Sequence, residues 1–140
     1  MIVYLETSVI LRKLFNEAHP LKEWGHWEKA ISSELSYVEA ARSLDRLRLA
    51  KELDSENFAE KINELETLLG FCTRLELNSS LIYAAAKPRS TFVKTLDALH
   101  LVSAEMWMAR HRSPLVFMTH DAQLGKAALA SGMLAKGFRD

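Results

Sequence analysis

The sequence predicts an α/β domain in which a mostly parallel sheet of four or five strands is covered by helices on both faces. Three observations predict it. Two short runs of apolar β-formers, Ile2-Val3-Tyr4-Leu5 and Leu115-Val116-Phe117-Met118, have no polar face and read as central strands buried on both sides. Strand-like and helix-like segments alternate as β-α-(α)-β-α-α-β-α-α-β-α-β, an order that gives parallel pairing through helical crossovers. The stretch from Thr95 to Met108, read at ~100° per residue, is apolar nearly all the way round, as a helix buried inside a soluble domain is.

Taken in order, Ile2–Leu5 is the first strand. Glu6-Thr7-Ser8 occupies the turn into a helix over Val9–Phe15, with Thr7 or Ser8 expected as its cap. Pro20–Glu28, with Trp24 and Trp27 around Gly25 and His26, is expected to form a short helix whose tryptophans pack rather than stack on nucleic acid. Ala30–Ser33 reads as a second strand. The helix over 36–52 carries an apolar stripe of Tyr37, Ala40, Ala41, Leu44 and Leu47, and Glu39 lies away from it. Periodicity alone therefore makes Glu39 a solvated surface acid. Asp54-Ser55-Glu56 opens a further helix that ends near Gly70, so 36–70 forms an α-hairpin. Thr73–Leu77 alternates polar and apolar and suits a sheet edge, Ser80–Ala86 is helical, and Lys87–Thr91 is a loop. The buried helix ends at Ser113-Pro114, and Leu115–Met118 follows as a central strand with Thr119-His120-Asp121 at its carboxyl end. Ala122–Ala130 is helical, Gly132 stops it, and Met133–Ala135 adds a last strand.

These elements make one domain over residues 1–140, with enough chain to bury a sizeable core. Lys and Arg number 18, and so do Asp and Glu. That balance argues against a generic polyanion-binding protein, yet it permits a local basic surface beside an acidic pocket. The single Cys72 excludes an intramolecular disulfide and an all-cysteine metal site, which makes a reducing cytoplasm the expected location. Met1–Leu5 lacks the basic lead of a signal peptide, and no stretch approaches the ~20 apolar residues of a membrane span. A soluble protein with no membrane partner is expected.

Ligands of an open α/β sheet bind beyond the carboxyl ends of its strands. Glu6 and Asp121 both stand at that edge, and Asp97, in the first turn of the buried helix, faces them under this topology. Each acid alone has a plain reading, as a cap or as a partner of the helix dipole. Three acids converging on one crevice repel one another unless divalent cations neutralise them, and that convergence points to a metal site. Other chemistries lack their parts. No Gly-x-Ser-x-Gly elbow occurs, so a triad hydrolase is a poor fit. The first strand ends in Glu6-Thr7-Ser8 with no neighbouring Asp to act as the nucleophile of a phosphoacceptor receiver or a dehalogenase-type phosphatase.

Four segments in this order, Leu5-Glu6-Thr7-Ser8, Ser32-Ser33-Glu34-Leu35-Ser36-Tyr37-Val38-Glu39-Ala40-Ala41-Arg42, Thr95-Leu96-Asp97-Ala98-Leu99-His100-Leu101 and Phe117-Met118-Thr119-His120-Asp121, resemble the PIN-domain ribonucleases. The resemblance covers essentially the whole chain and is greatest to the VapC-type toxins of toxin–antitoxin pairs. It implies a catalytic acidic quartet of Glu6, Glu39, Asp97 and Asp121 that binds Mg²⁺ or Mn²⁺, with Glu6 and Asp97 as the leading direct ligands. It thereby moves Glu39 from the surface into the pocket. Ser8 and Thr119 match hydroxyl residues that support the site. The implied reaction is endonucleolytic cleavage of structured RNA, such as transfer or ribosomal RNA loops. Arg42, Arg89 and Lys94 are candidates for RNA-backbone contacts.

The resemblance also implies partners. One is a small cognate antitoxin laid into an apolar groove lined by Leu11, Leu14 and the 36–70 hairpin. The other is a second copy of the chain, in a homodimer to which Trp107 or Phe92 contributes. One departure matters: the family's first acid is normally Asp, and Glu6 carries an extra methylene. That moves the carboxylate by roughly one C–C bond where sites tolerate ~0.5 Å, so reduced activity is expected. The alternative function is a catalytically weakened RNA-binding or regulatory module acting through its antitoxin complex.

Overall fold

A computed structural model describes residues 1–139 of the chain. Its elements run β1 (Ile2–Leu5), α1 (Thr7–Leu14), β2 (Lys29–Ser33), α2 (Glu34–Leu49), α3 (Ser55–Gly70), β3 (Thr73–Leu75), α4 (Ser79–Ala85), α5 (Thr95–His111), β4 (Val116–Met118), α6 (Ala122–Ala130) and β5 (Leu134–Lys136). The five strands form one sheet in the order β3-β2-β1-β4-β5, and every neighbouring pair is parallel. The expected α/β architecture is the observed one.

Side chains of a strand alternate between the two faces of the sheet, and each face here has its own core. Val3 and Leu5 of β1, Ala30 of β2, and Val116 and Met118 of β4 pack with Val9, Ile10 and Leu14 of α1, Ala40 and Leu44 of α2, and Leu65 and Leu69 of α3. Tyr4, Ile31 and Phe117 point the other way, onto Leu101, Ala104 and Trp107 of α5 and Leu124, Ala127 and Ala128 of α6. This two-sided burial explains why β1 and β4 are apolar at every position. Local capping follows the sequence: the side chains of Ser33, Asp54, Asn78 and Asp121 accept backbone hydrogen bonds at the starts of α2, α3, α4 and α6.

Three expectations are corrected. Pro20–Glu28 is not helical. Trp24 N–H bonds Leu21 O at 3.1 Å and His26 N–H bonds Glu23 O at 2.9 Å, both three-residue turn bonds, and Gly25 has φ +81°. Left-handed backbone stops a helix from propagating. Trp24 and Trp27 do pack, edge to face at 5.2 Å. Trp107 is not a surface residue: it is 5% exposed, in the α5 core, stacked on His111. Leu14 is likewise buried, and Leu11 is partly buried against the same core; neither lines the apolar groove beside the hairpin. An open apolar groove of about 780 Å³ is lined by Trp24, Trp27, Phe71 and Cys72 with Leu68 of the hairpin, so the hairpin contributes to it as expected and Leu11 and Leu14 do not. Among the described residues no helix is long and apolar enough to cross a membrane.

Candidate active site

The chain leaves β1 to lay β2 and β3 on one side, then returns to lay β4 and β5 on the other. The crevice at such a reversal opens beyond the carboxyl ends of the two central strands. Glu6 is the first residue past β1, tied to β4 by its N–H on Met118 O at 3.0 Å. The residue is buried, 6% exposed. Oε2 accepts from Ser8 Oγ at 2.5 Å and from Thr119 Oγ1 at 2.8 Å. Those hydroxyls in turn accept the backbone N–H groups of His120 (2.8 Å) and Asp121 (3.1 Å), so the 119–121 loop is fastened to Glu6. Ser8 and Thr119 thus both meet the first acid. The expectation that Thr7 or Ser8 caps α1 is corrected, because Glu6 stands at the N-cap position without a side-chain cap and both hydroxyls are committed to carboxylates.

Glu39 lies on α2, and its Oε1 accepts from Thr7 Oγ1 at 2.7 Å and from His100 Nε2 at 2.5 Å. His100 Nδ1 is hydrogen-bonded to the Tyr4 hydroxyl at 2.7 Å, and both rings are fully buried. A polar chain therefore runs from the centre of β1 through α5 to the acid. Burial raises the Glu39 carboxyl, but the hydrogen bond and electrostatic attraction of His100, with the Thr7 hydroxyl, outweigh it and hold the group below its ordinary value. Burial, then the charge of Glu6, pushes the Tyr4 phenol well up, so it is a neutral hydroxyl at any working pH.

Asp97 sits in the first turn of α5, where Lys94 occupies the cap position, so Asp97 does not cap the helix. It is half-buried. Burial raises its carboxyl; the charges of Glu6 and Asp121 raise it further, His100 opposes them, and Glu39 adds to the rise. Asp121 caps α6, with Oδ1 accepting Leu124 N–H at 2.9 Å, so its plain reading is fulfilled by one oxygen. Among the described residues, Glu6 Oε1, Glu39 Oε2, Asp121 Oδ2 and both oxygens of Asp97 take part in no hydrogen bond. These are hard anionic oxygens, the donor type of Mg²⁺ and Mn²⁺. As placed, no three His, Cys, Asp or Glu side chains of the described residues are gathered tightly enough to hold a metal ion. Three of the acids are each fixed to the protein through their other oxygen, and Asp97 alone is unanchored. The donor chemistry fits a divalent cation, and the free oxygens would have to turn inward to close on it.

Sequence reasoning assigned no role to Tyr4, Thr7 or His100 at this site. The available signal was His100 three residues after Asp97, on the same side of a helix that is apolar all round. Of the three candidate cations, Arg89 is tied to Glu105 at 2.5 Å and Ser131 at 2.7 Å, Arg42 pairs with Asp45 at 3.0 Å, and Lys94 is exposed at the start of α5.

The sequence matches the family model of the PIN domain over residues 3–129. No curated protein sequence matches it significantly. Among solved structures, a chain of VapBC2 from Rickettsia felis, bound to a DNA fragment from its promoter, superposes with TM-score 0.68 at 13% identity, covering 100% of both chains. A chain of FitAB bound to an IR36 DNA fragment gives 0.70 at 15% identity over 98% of this chain and 94% of that one. VapBC-1 from nontypeable Haemophilus influenzae gives 0.62 at 15% identity, covering 98% of each. The family match runs from the first strand into α6, around the crevice just described, and the chain belongs to the PIN domain family.

Proposed function

We propose that this protein is a metal-dependent endoribonuclease, the toxin of a toxin–antitoxin pair, and that Glu6, Glu39, Asp97 and Asp121 form its catalytic and metal-binding site. The observation that carries the reading is the crevice around Asp97, where Glu6 is joined to the Asp121 backbone through Thr119. The half-buried Asp97 carboxyl is raised first by burial and then by the charges of Glu6, Asp121 and, more weakly, Glu39, which supports one electrostatic neighbourhood for the four acids. A site that crowds anions is suited to a substrate only if cations stand between them. When bound, Mg²⁺ or Mn²⁺ supplies an acidified water and neutralises charge on the scissile phosphate. The chain's own residues prepare that arrangement. Ser8 and Thr119 hold Glu6 by Oε2 and leave Oε1 for a ligand; Thr7 and His100 do the same for Glu39. Asp97, free to reorient, completes the set.

Solved structures similar to this chain include VapBC and FitAB assemblies, which supports a cognate antitoxin as a partner here. Phe92, 76% exposed, stays available for a homodimer contact, whereas Trp107 does not. The weakened-module alternative draws on Glu6 in place of Asp, yet the longer side chain is seated by two hydroxyls. The test is incubation of the chain with total RNA in Mn²⁺ or EDTA, followed by mapping of new 5′ ends. Cleavage that EDTA abolishes and Asp97→Asn lacks is expected. Equal cleavage by the purified variant would refute the assignment.

A further inference from the structure

Beside the acidic crevice lies a second cavity of about 580 Å³ with the opposite charge. Arg12 of α1, His19 and Lys22 of the α1–β2 loop, His120 and Arg139 line it, with Glu23 as the single acid among the described residues. Glu23 is answered by Lys136 at 3.7 Å and Arg12 by Glu17 at 3.6 Å. Lys22 and Arg139 form no ion pair with an acid among the described residues. The cavity shares a wall with the active site. His120 bonds Ser8 through its N–H, and Ser8 bonds Glu6, while the His120 ring Nδ1 lies 2.6 Å from Gly137 O. Gly137 has φ +98°, and a Cβ there would meet Thr119 O at 2.8 Å, so this glycine lets the C-terminal segment lie flat on the active-site loop and bring Arg139 to the cavity.

A nucleic acid reaching a cluster of four acids is repelled everywhere except at the one phosphate that the bound cations bridge. Its flanking phosphates need positive charge supplied by the protein, within reach of the same strand. A chain with no net charge has little general attraction for a polyanion, so such charge must be concentrated locally. We propose that this cavity seats a backbone phosphate of single-stranded RNA flanking the scissile bond, held by Arg12, Lys22 and Arg139. The inference rests on the proposed RNA substrate and deepens it.

The experiment measures binding of a fluorescein-labelled 12-nucleotide single-stranded RNA to the full chain carrying Asp97→Asn, in EDTA, by anisotropy between 50 and 200 mM KCl. Adding R12Q, K22Q and R139Q should flatten the slope of log affinity against log salt by about 2, from ~0.7 per phosphate contact on a single strand. Over that fourfold range the background chain then loses roughly 15- to 20-fold more affinity than the variant. Arg12 and Arg139 also hold the His19 loop, at 3.2 and 3.1 Å. K22E is therefore measured alone, since Lys22 is exposed and has no partner among the described residues; it should flatten the slope by at least ~0.7. K51Q, K87Q and R110Q together, an equal loss of charge elsewhere, should leave it unchanged. Unchanged slopes in both cavity variants, or an equal fall in the control, overturn the proposal. Cleavage of total RNA by the unsubstituted chain is read separately: cleavage with unchanged cavity slopes refutes the cavity and keeps the nuclease, and altered slopes without any cleavage do the reverse.

Discussion

Tyr4→Phe isolates the buried polar chain behind Glu39. Tyr4 is fully buried in β1, its ring stacked on Phe117 at 5.1 Å and its hydroxyl 2.7 Å from His100 Nδ1. Phenylalanine fills the same volume, so the change opens no cavity and leaves the stacking in place. What disappears is the hydroxyl, which bonds His100 Nδ1 and also interacts with the Ser103 and Ser33 side chains, and His100 Nδ1 is left facing an apolar ring edge within the core. Leaving a buried polar atom unsatisfied costs about 1–3 kcal/mol. For a domain of this size that corresponds to a melting point lower by roughly 3–9 °C. Urea unfolding gives the free energy, with the slope unchanged if the folded state stays as compact. A Y4F/H100A double-mutant cycle then gives the coupling between the two groups. A Tyr4→Phe chain as stable as the parent, or a coupling near zero, would show that the hydroxyl and the imidazole do not depend on each other and that the chain to Glu39 is broken at its first link.

Three further substitutions test the same geometry. Asp97→Asn should reduce cleavage by more than the ~10–100-fold typical of groups standing behind metal ligands. Because the folded-state carboxyl of Asp97 is raised, its penalty is absent below the unfolded pKa near ~3.9 and grows as pH rises through the folded value. The metal-free Asn chain should thus melt with the parent at pH 3 and above it at pH 7 in scanning calorimetry, and a lower melting point at pH 7 contradicts the repulsion. Glu39 carries the opposite sign: its lowered carboxyl stabilises the fold above the unfolded pKa, and that contribution fades as pH falls through the folded value. Glu39→Gln should flatten the acid limb of a stability–pH curve, and an unchanged limb removes the His100–Glu39 interaction from the account. Glu6→Asp withdraws the carboxylate by one methylene from hydroxyls at 2.5 and 2.8 Å, so Mn²⁺-dependent cleavage should fall about 10–100-fold. A gain in rate would instead support the attenuation expected from Glu in place of the family's Asp.

The element order was legible because it depends on local physics. The unbroken apolar runs of β1 and β4, the 3.6-residue stripes of α2 and α3, and the side-chain caps at Asp54 and Asn78 each report on residues within a few positions of one another. The same local reading failed at Pro20–Glu28, where Gly25 takes a left-handed turn that composition alone does not distinguish from a helix stop. At the site, topology carried Glu6 and Asp121 to one edge, since strand ends in a parallel sheet share a direction.

Glu39 shows where that ends. Its position off the apolar stripe of α2 says which way the side chain leaves its own helix, and nothing about what stands opposite. Its partners come from 32 residues before it, at Thr7, and 61 residues after it, at His100, and His100 meets Tyr4 across 96 residues. Trp107 was misplaced for the same reason, because a helix apolar on every side does not reveal which side the sheet will take. By itself, then, the sequence determined the strands, the helices and the edge at which acids collect, all of them consequences of backbone periodicity. Only the packed structure decided which acids are anchored, by which hydroxyls and imidazole, and which one is left free, because hydrogen-bond partners so far apart along the chain are chosen by how the layers dock.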